Sequence, residues 1–556
     1  MPLKKEKSQI DSFNVSLGPS SPIKSKTTQL EPWNILVCSD LGFVSKKPQQ
    51  VRIAEWNEFV GAQGIVLSGS VNSMLFNSGK PLFIEYPVKT MKDFSAESVL
   101  ANVPAFAAWS RTCSALQQLL DGKTSREEAV SMIGKASLPA EEYSRIMRLL
   151  ETHTGKKPEK PAASPASKPA VSSVDKILSM VDVKPLPGKG PDNSPSSLTD
   201  ALFQSVSGGA EQVDKAGISV YVAQCRQKLQ EQTATVMAQD FFKGRFSSWQ
   251  GLTQLAKVIG RKKEMTVSVV SSPAQTMQDR LGEALGACME AGAAPDVIVW
   301  DYDVTFTNAS METMAALAAA AEKYKCMVVA PLCMDDPLLT GISGRKSVVH
   351  FFDDLRFLPY KKLRENTAAR CLCLCAPSLA ANEAKSEWFA AIRWAEMIIG
   401  DCDPFAAKQQ RRPAESVFSG APVFSPAVST GVSVEAAAMG LTLFEETLEK
   451  AALDKAVTVA GPDSVSERYT SFCFNLLVNR VARLSGIKIL LCGLQKNKEE
   501  IAAVLEEFLE KELSACGISA SGKSVSVTVE NNEAIVIEIN SDVTVSGHPA
   551  RFTFTI

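Results

Sequence analysis

The order of strands and helices in the C-terminal part of the chain constrains its fold more than any other feature. Four short apolar runs are typical of buried strands, and Ala-rich stretches such as 311–323 separate them. The runs are 266–270, 297–300, 327–330 and 371–375. Strands that alternate with helices favour a largely parallel or mixed sheet that is covered on both faces. The sequence therefore predicts an α/β fold of the mixed α+β kind, in which helices flank mixed sheets.

The C-terminal end of the chain follows a different pattern. A predicted acidic helix at 497–513 is followed by apolar residues that alternate strictly with polar ones, as in half-buried strands. The alternating residues are Val525, Val527, Val529, Ile535, Ile537, Ile539, Phe552, Phe554 and Ile556. A strand at a chain end frays unless something pairs with it. We therefore expect C-terminal strands within 524–556 that take part in strand pairing.

A polar arm over residues 1–30 precedes the first globular part of the chain, and it carries one short alternating piece. Phe13, Val15 and Leu17 would lie on one face of a strand. The piece predicts a second strand that is available for pairing at the other end of the chain.

Residues 156–197 are predicted to form a linker, because segments rich in Pro, Ala, Ser and Lys dominate both of its ends and cannot bury a core. An apolar island interrupts it and predicts a short helix at 174–183. The residues that stack at helical spacing are Val174, Ile177, Leu178 and Val181. Such an island is either a docking helix for a partner or a lid on the protein's own surface. The linker separates a globular part at 31–155 from a larger one at 198–556.

Composition excludes several classes of function. The chain of 556 residues has only three histidines, which argues against a His-based triad or a multi-His metal site. Its 59 basic and 61 acidic side chains give a net charge of -2, so no basic surface points to nucleic acid. No apolar stretch is long enough for a membrane span and no signal peptide is recognisable, so we expect a cytoplasmic protein with no direct membrane insertion.

The thirteen cysteines are odd in number and lie mostly inside apolar runs. They are typical of small buried hydrophobic side chains in a reducing compartment. Cys371, Cys373 and Cys375 alternate on one strand and would line one face of the core. A zinc site would require a matching C-x-x-C pair, which the sequence lacks, so we expect no metal and no cofactor.

Two motifs resemble sites of phosphate chemistry. Residues 517–524 match the P-loop pattern G-x-x-x-x-G-K-S, but a helix is predicted before the loop and a strand after it, which is the reverse of what a P-loop needs. Asp301 and Asp303 follow a buried strand and resemble the nucleophile loop of haloacid-dehalogenase-type phosphotransferases. The alternative is that both carboxylates are solvated residues at a strand end.

A set of short motifs, taken in order, resembles the sheath proteins of the type VI secretion system. Residues 33–42 (WNILVCSDLG) and 91–99 (MKDFSAESV), followed by Val103 and Pro104, resemble the small sheath subunit. Residues 248–252 (SWQGL) and the strand with an acidic turn at 297–306 resemble the large subunit. The resemblance implies a natural fusion, in which 31–155 corresponds to the small subunit and 198–556 to the large one, as two interlocked sheath domains.

The resemblance implies a structural protein rather than an enzyme. Members of this family form hexameric rings that stack into a helical sheath around an Hcp-like inner tube on a baseplate, and contraction of the sheath propels the tube. Neighbouring subunits exchange strands, which here implies roles for Phe13, Val15, Leu17, Val525, Val527, Val529, Phe552, Phe554 and Ile556. The alternatives are a phosphotransferase that uses Asp301 and Asp303, and a phage-tail-type sheath.

Two further contacts follow from the resemblance. The acidic helix occupies the place where the large subunit faces the inner tube, which implies that role for Glu499, Glu500, Glu506, Glu507 and Glu510. In the family, a ClpV-like AAA+ ATPase binds a helix of the large subunit when it recycles the sheath. The island corresponds to this helix, with the residues Val174, Ile177, Leu178 and Val181. The implied location is the bacterial cytoplasm.

Overall fold

The computed structural model describes most of the chain. The described residues are 31–75, 81–151, 215–259, 265–333, 347–376, 379–381, 386–388, 412–413, 422–424, 429–447, 450–453, 456–492, 497–518, 523–530 and 534–556, without residues 46 and 137. They form two compact units: a sheet unit built from residues up to 99 and from 233 onward, and a helical unit built from 100–232. The predicted arm strand at 13–17 and the predicted helix at 174–183 lie outside the described residues.

Thirteen α-helices occur in the described residues. They are α1 (Trp56–Ala62), α2 (Ala96–Asn102), α3 (Pro104–Leu120), α4 (Arg126–Gly134), α5 (Ala140–Leu150), α6 (Lys215–Met237), α7 (Asp240–Ile259), α8 (Ala274–Glu290), α9 (Asn308–Tyr324), α10 (Leu358–Glu365), α11 (Thr430–Ala438), α12 (Phe472–Cys492) and α13 (Lys498–Ala515).

Seventeen strands occur in the same residues. They are β1 (Trp33–Ser39), β2 (Gln49–Val51), β3 (Ile65–Asn72), β4 (Pro81–Val88), β5 (Met265–Ser271), β6 (Val297–Asp301), β7 (Met327–Pro331), β8 (Leu372–Ala376), β9 (Leu379–Ala381), β10 (Ser386–Trp388), β11 (Arg412–Pro413), β12 (Pro422–Phe424), β13 (Leu441–Thr447), β14 (Lys450–Leu453), β15 (Val525–Glu530), β16 (Ala534–Val545) and β17 (His548–Thr555).

A nine-stranded mixed sheet in the order β11-β14-β13-β8-β7-β6-β1-β5-β2 forms the centre of the sheet unit. The strands from β5 to β13 in that order are parallel to their neighbours, whereas β2 and β14 pair antiparallel. Every residue of β1, β6, β7 and β8 is buried, as expected for strands with both faces covered. The predicted mixed α/β fold is confirmed.

Strand β1 occupies the middle of this sheet although it comes from the N-terminal globular part. Its residue Ile35 lies between Val267 of β5 and Val297 of β6. The two globular parts therefore share one sheet. The resemblance divides the chain into 31–155 and 198–556. This division remains a prediction, because the two compact units divide the chain at other positions.

The motifs at the start of the chain pack around this central strand. Trp33 lies under the guanidinium of Arg480, 4.0 Å from the ring centroid. At the other end of β1, the indole N–H of Trp249 donates to the carbonyl of Leu41 at 3.0 Å, and the Trp249 side chain is fully buried. The SWQGL motif on α7 thus holds the chain where it leaves β1.

The DFS motif forms a helix start. Asp93 Oδ2 accepts hydrogen bonds from the backbone N–H groups of Lys89 and Thr90, at 2.8 and 2.7 Å. The Ser95 hydroxyl oxygen accepts from the N–H of Ser98 at the beginning of α2. Phe94 is buried between Phe242 and Phe246 of α7, with ring centroids 5.6 and 5.2 Å away. The motif therefore joins a capped turn to the core.

The helical unit contains α3, α4, α5 and most of α6. Helix α3 begins with a proline at its first turn, and α4 begins with a capping box in which Ser125 and Glu128 satisfy each other's N–H groups. The Tyr221 hydroxyl donates to Glu142 at 3.2 Å and joins α6 to α5. None of the helices in the described part combines the length and apolar character of a bilayer span.

Candidate assembly interface

The three C-terminal strands form a separate antiparallel sheet in the order β15-β16-β17, which confirms the predicted strands. Its apolar residues alternate onto one buried face that packs on α13 and α12, and Phe552 lies 6.0 Å from Phe474 of α12. The buried members are Val525, Ile535, Ile537, Ile539, Phe552 and Phe554. Polar residues occupy the other face. This sheet has one covered face and two edges, and the edges differ.

Glutamates from α13 cover the first N–H groups on the outer edge of β15. Glu510 accepts hydrogen bonds from the N–H groups of Ser524 and Val525, at 3.1 and 3.0 Å. Glu506 accepts from the N–H of Val527 at 3.1 Å. The N–H groups of Val525 and Val527 point away from β16, so without these carboxylates they would be available to another strand.

The outer edge of β17 is open over its last residues. Ile556 exchanges both backbone hydrogen bonds with Ile535, so every second residue of β17 turns its N–H and C=O outward. At Arg551 the outward carbonyl accepts from Arg468 at 2.8 Å. At Thr553 and Thr555, no hydrogen bond to the outward groups occurs within the described part of the chain. The β17 edge can therefore accept a further strand at Thr553 and Thr555, whereas the N–H groups at the start of β15 are already paired with glutamates.

The acidic helix presents only some of its glutamates to solvent. Glu506 and Glu510 face β15, and Glu506 also pairs with Lys523 at 2.6 Å. Glu499, Glu500 and Glu507 are exposed, and Glu507 pairs with Lys511. The five predicted tube-facing residues therefore fall into two sets. The sequence did not show that Glu506 and Glu510 face β15 rather than solvent, although their spacing puts both carboxylates on one helix face.

A buried ion cluster lies beside Glu31, the first described residue of the chain. Arg480 Nη1 donates to Asp296 at 3.0 Å, and Arg480 Nη2 donates to the Glu31 carbonyl at 2.6 Å and to Glu512 at 3.3 Å. Arg483 also pairs with Asp296. Glu512 lies on α13 and accepts from the N–H of Glu31 at 2.9 Å. The first described residue of the chain is thus attached to the helix that covers the start of β15.

The predicted phosphotransfer residues lie at the end of β6, where the order of the parallel strands reverses between β1 and β6. Open α/β sheets commonly bind ligands at such a point. Here Asp301 is 3% exposed and accepts a 2.7 Å hydrogen bond from Ser39, whereas Asp303 is exposed. Burial raises the pKa of Asp301 to about 7. A carboxylate in this position cannot reach a phosphorus atom outside the core, which argues against the phosphotransferase alternative.

The cysteine strand is packed in the core, and the P-loop-like segment is described only in part. Cys371, Cys373 and Cys375 are buried, and their sulfurs contact Asn479, Thr442 and the Ala330 carbonyl. Within the described residues, no group of three or more His, Cys, Asp or Glu side chains is arranged around a metal position. The P-loop-like segment lies between α13 and β15, and residues 519–522 of it are outside the described residues.

Comparison with known proteins gives similarities in structure only. No protein-family model matches the chain, and no characterised protein matches it by sequence. The sheath tail protein of Desulfitobacterium hafniense is 10% identical over 52% of this chain, with a TM-score of 0.34. The chain spans 61% of that protein, less than two thirds of its length.

Two further solved structures are similar to a comparable degree. A chain of the anti-feeding prophage baseplate is 9% identical over 50% of this chain and 71% of that chain, with a TM-score of 0.33. A chain of the PVC sheath complex, from an extracellular contractile injection system in its contracted state, is 10% identical over 55% of this chain and 76% of that chain, with a TM-score of 0.33. These values are too low to place the chain in any one of these assemblies.

Proposed function

We propose that this protein is the structural subunit of a contractile injection sheath, in which copies of the chain polymerise into a helical tube around an inner tube and contract to propel it. In its finer form, the proposal is a type VI secretion sheath in which one chain combines the small and large subunits. The family resemblance of the ordered motifs motivates the proposal. No step of the mechanism requires covalent chemistry, because the energy of contraction is held in repeated interfaces that have two packings.

The asymmetry of the C-terminal sheet is the observation that carries the proposal. A protein that adds strands from a neighbour needs one exposed edge, and it needs the other edge blocked so that copies do not pair at random. Thr553 and Thr555 offer the exposed edge, whereas Glu506 and Glu510 cover the first outward N–H groups of the opposite one. Main-chain hydrogen bonds formed at β17 would keep subunits connected while their side-chain interfaces slide.

The incoming strand in this proposal is the arm strand of a neighbouring copy, with Phe13, Val15 and Leu17 on its apolar face. Hexameric rings of such copies would stack on a baseplate. The exposed residues Glu499, Glu500 and Glu507 are the proposed contact with an Hcp-like inner tube, and a screened surface contact of this kind can release during contraction. The island at 174–183 is the proposed site for a ClpV-like AAA+ ATPase.

Thr553→Pro tests the open edge directly. Proline removes the N–H that points outward and is tolerated on an edge strand when that N–H faces solvent. We expect a folded protein, judged by circular dichroism, that forms no tubes under negative-stain electron microscopy. Thr553→Val keeps the N–H and should form tubes as the parent chain does. Normal tubes from Thr553→Pro would refute the proposed strand addition.

Co-assembly distinguishes the type VI form of the proposal from a phage-tail-type sheath. The purified chain is mixed with an Hcp-like tube protein, and tubes are inspected for a filled lumen. The type VI form predicts filled tubes, and it predicts fewer of them when Glu499, Glu500 and Glu507 are replaced by lysine. Empty tubes that form equally well with either charge favour a sheath for a different inner tube.

A further inference from the structure

Two cysteines in the helical unit lie close enough to react with each other. The sulfur atoms of Cys113 on α3 and Cys225 on α6 are 2.6 Å apart. Both side chains are buried, and no disulfide joins them. A disulfide bond is about 2.05 Å long, so the two sulfur atoms need to approach by about half an ångström when oxidation joins them.

The pair differs from the other thiols in the described core. Cys371, Cys373 and Cys375 contact an amide, a hydroxyl and a carbonyl, and burial raises the pKa of each. By contrast, the hydrogen bond with Cys225 and the positive charge of Arg226 lower the pKa of Cys113. The thiolate is the reactive form of cysteine. Cys113 is therefore the nucleophile of the pair, and Cys225, whose pKa is raised, is its partner.

Cys113 also has a route to solvent. It lines a cavity of about 260 Å³ between α3 and α6. Ser110, Ser114 and Gln117 line it from α3, and Arg226 and Gln230 line it from α6. A water molecule occupies about 30 Å³ in the liquid, so the cavity admits a small polar oxidant, and Arg226 stands beside the reacting sulfur.

We infer that Cys113 and Cys225 are an oxidation site at which hydrogen peroxide forms a disulfide between α3 and α6. The Cys113 thiolate attacks one peroxide oxygen, the O–O bond breaks, and the products are a sulfenic acid on Cys113 and hydroxide. Cys225 then attacks the Cys113 sulfur, its proton and the departing hydroxyl group leave as water, and the S–S bond forms. Two thiols are oxidised, and one peroxide is reduced to two waters.

The bond would link the two globular parts of the chain, because Cys113 precedes the predicted linker at 156–197 and Cys225 follows it. Cleavage within the linker would then leave the parts covalently joined under oxidising conditions. This inference does not depend on the proposed sheath function.

Peptide mapping of the full-length protein tests the inference. The native chain is treated with one equivalent of hydrogen peroxide, blocked with an alkylating agent, and digested with trypsin without reduction. We expect peptide 112–123 linked to peptide 216–226, with the loss of two hydrogens. Reduction before digestion should abolish the linked species.

Variants assign the two roles. In Cys225→Ser, dimedone should label Cys113 after peroxide treatment, because no partner resolves the sulfenic acid. In Cys113→Ser, Cys225 should remain unlabelled. If either variant fails to fold, the rate of alkylation in the unmodified chain provides the same test, since Cys113 should react before Cys373. Oxidation of the half-exposed Cys492 with no linked peptide, or linkage only after denaturation, would overturn the inference.

Discussion

Ser39 Oγ donates a 2.7 Å hydrogen bond to Asp301 Oδ2, and this bond ties the last residue of β1 to the last residue of β6. The two strands come from globular parts that are far apart in sequence, and their ends meet where the strand order reverses. In open α/β sheets, ligands commonly bind in a crevice at this position. In this protein a buried carboxyl group and a hydroxyl group fill it, so the contact joins the two parts of the chain.

Asp301 should make stability depend on pH. Its pKa in the folded protein is about 7, chiefly because of burial, and lies above the unfolded value of about 3.9. The folded state therefore binds the proton more tightly, and stability is lost as the pH rises from about 4 to about 7. At about 1.4 kcal/mol per pKa unit, the full effect is on the order of 4 kcal/mol. The free energy of unfolding of Asp301→Asn, relative to that of the parent chain, should therefore increase from pH 5 to pH 8, as measured by urea denaturation.

The exposed neighbour provides the control for this prediction. Asp303→Asn should change the pH dependence much less, because Asp303 is exposed and its charge is the smallest contribution to the raised pKa of Asp301. An equal difference at pH 5 and pH 8 for Asp301→Asn would contradict the assigned role of the buried carboxyl group.

The buried ion cluster should be sensitive to the loss of one member. Arg480 neutralises Asp296 and Glu512, and all three side chains are at least 94% buried. Arg480→Met leaves those carboxylates partly unpaired, which typically costs about 3–5 kcal/mol. The exposed pair of Arg551 and Asp542 is the matched control, and Arg551→Met should cost less than about 1 kcal/mol. Similar losses for the two variants in chemical denaturation would show that burial does not set the cost.

Much of the fold could be predicted because it depends on local pattern. Apolar runs marked strands β5, β6, β7 and β8 of the central sheet, and strict alternation marked β15, β16 and β17. The position of β1 between β5 and β6 could not be predicted, because it depends on the pairing of Ile35 with residues more than two hundred positions away. Periodicity shows that a strand is buried but does not show which neighbours it has.

The candidate interface was predicted in part for the same reason. The pattern identified Phe552 and Phe554 as strand residues but did not show which edge of their sheet is open. That property depends on the register with Ile535 and on the side chains of Glu506 and Glu510, which cover N–H groups of the opposite edge from another element. The cysteine pair was missed because its members are 112 positions apart.

The glutamate cover on β15 should control local opening of that edge. Glu510→Ala removes the acceptor for the N–H groups of Ser524 and Val525, so amide hydrogen exchange at Val525 should become faster. Glu510→Gln keeps one carbonyl acceptor and should retain most of the protection. If the alanine and glutamine variants exchange at the same rate, the carboxylate does not cover the edge.

Removing both acceptors should also change association. Glu506→Ala combined with Glu510→Ala leaves β15 as exposed as β17, so the sheet would offer two edges instead of one. We expect irregular aggregates in place of tubes, as judged by electron microscopy and light scattering. Aggregation that persists in the corresponding double glutamine variant would mean that lost charge, rather than a bare strand edge, is responsible.

Gly440 should tolerate no side chain, because it forms the tight connection between α11 and β13. Its φ is +80°, and a Cβ atom there would lie 2.8 Å from the carbonyl oxygen of Val459. Gly440→Ala combines left-handed backbone strain with a clash against main chain, which together cost about 2–4 kcal/mol. Gly64→Ala is the control, since Gly64 has a φ of +61° with no atom within 4 Å of the added Cβ, and it should cost about 1 kcal/mol. Equal shifts in the midpoint of thermal unfolding would show that the contact with Val459 adds nothing to the backbone strain.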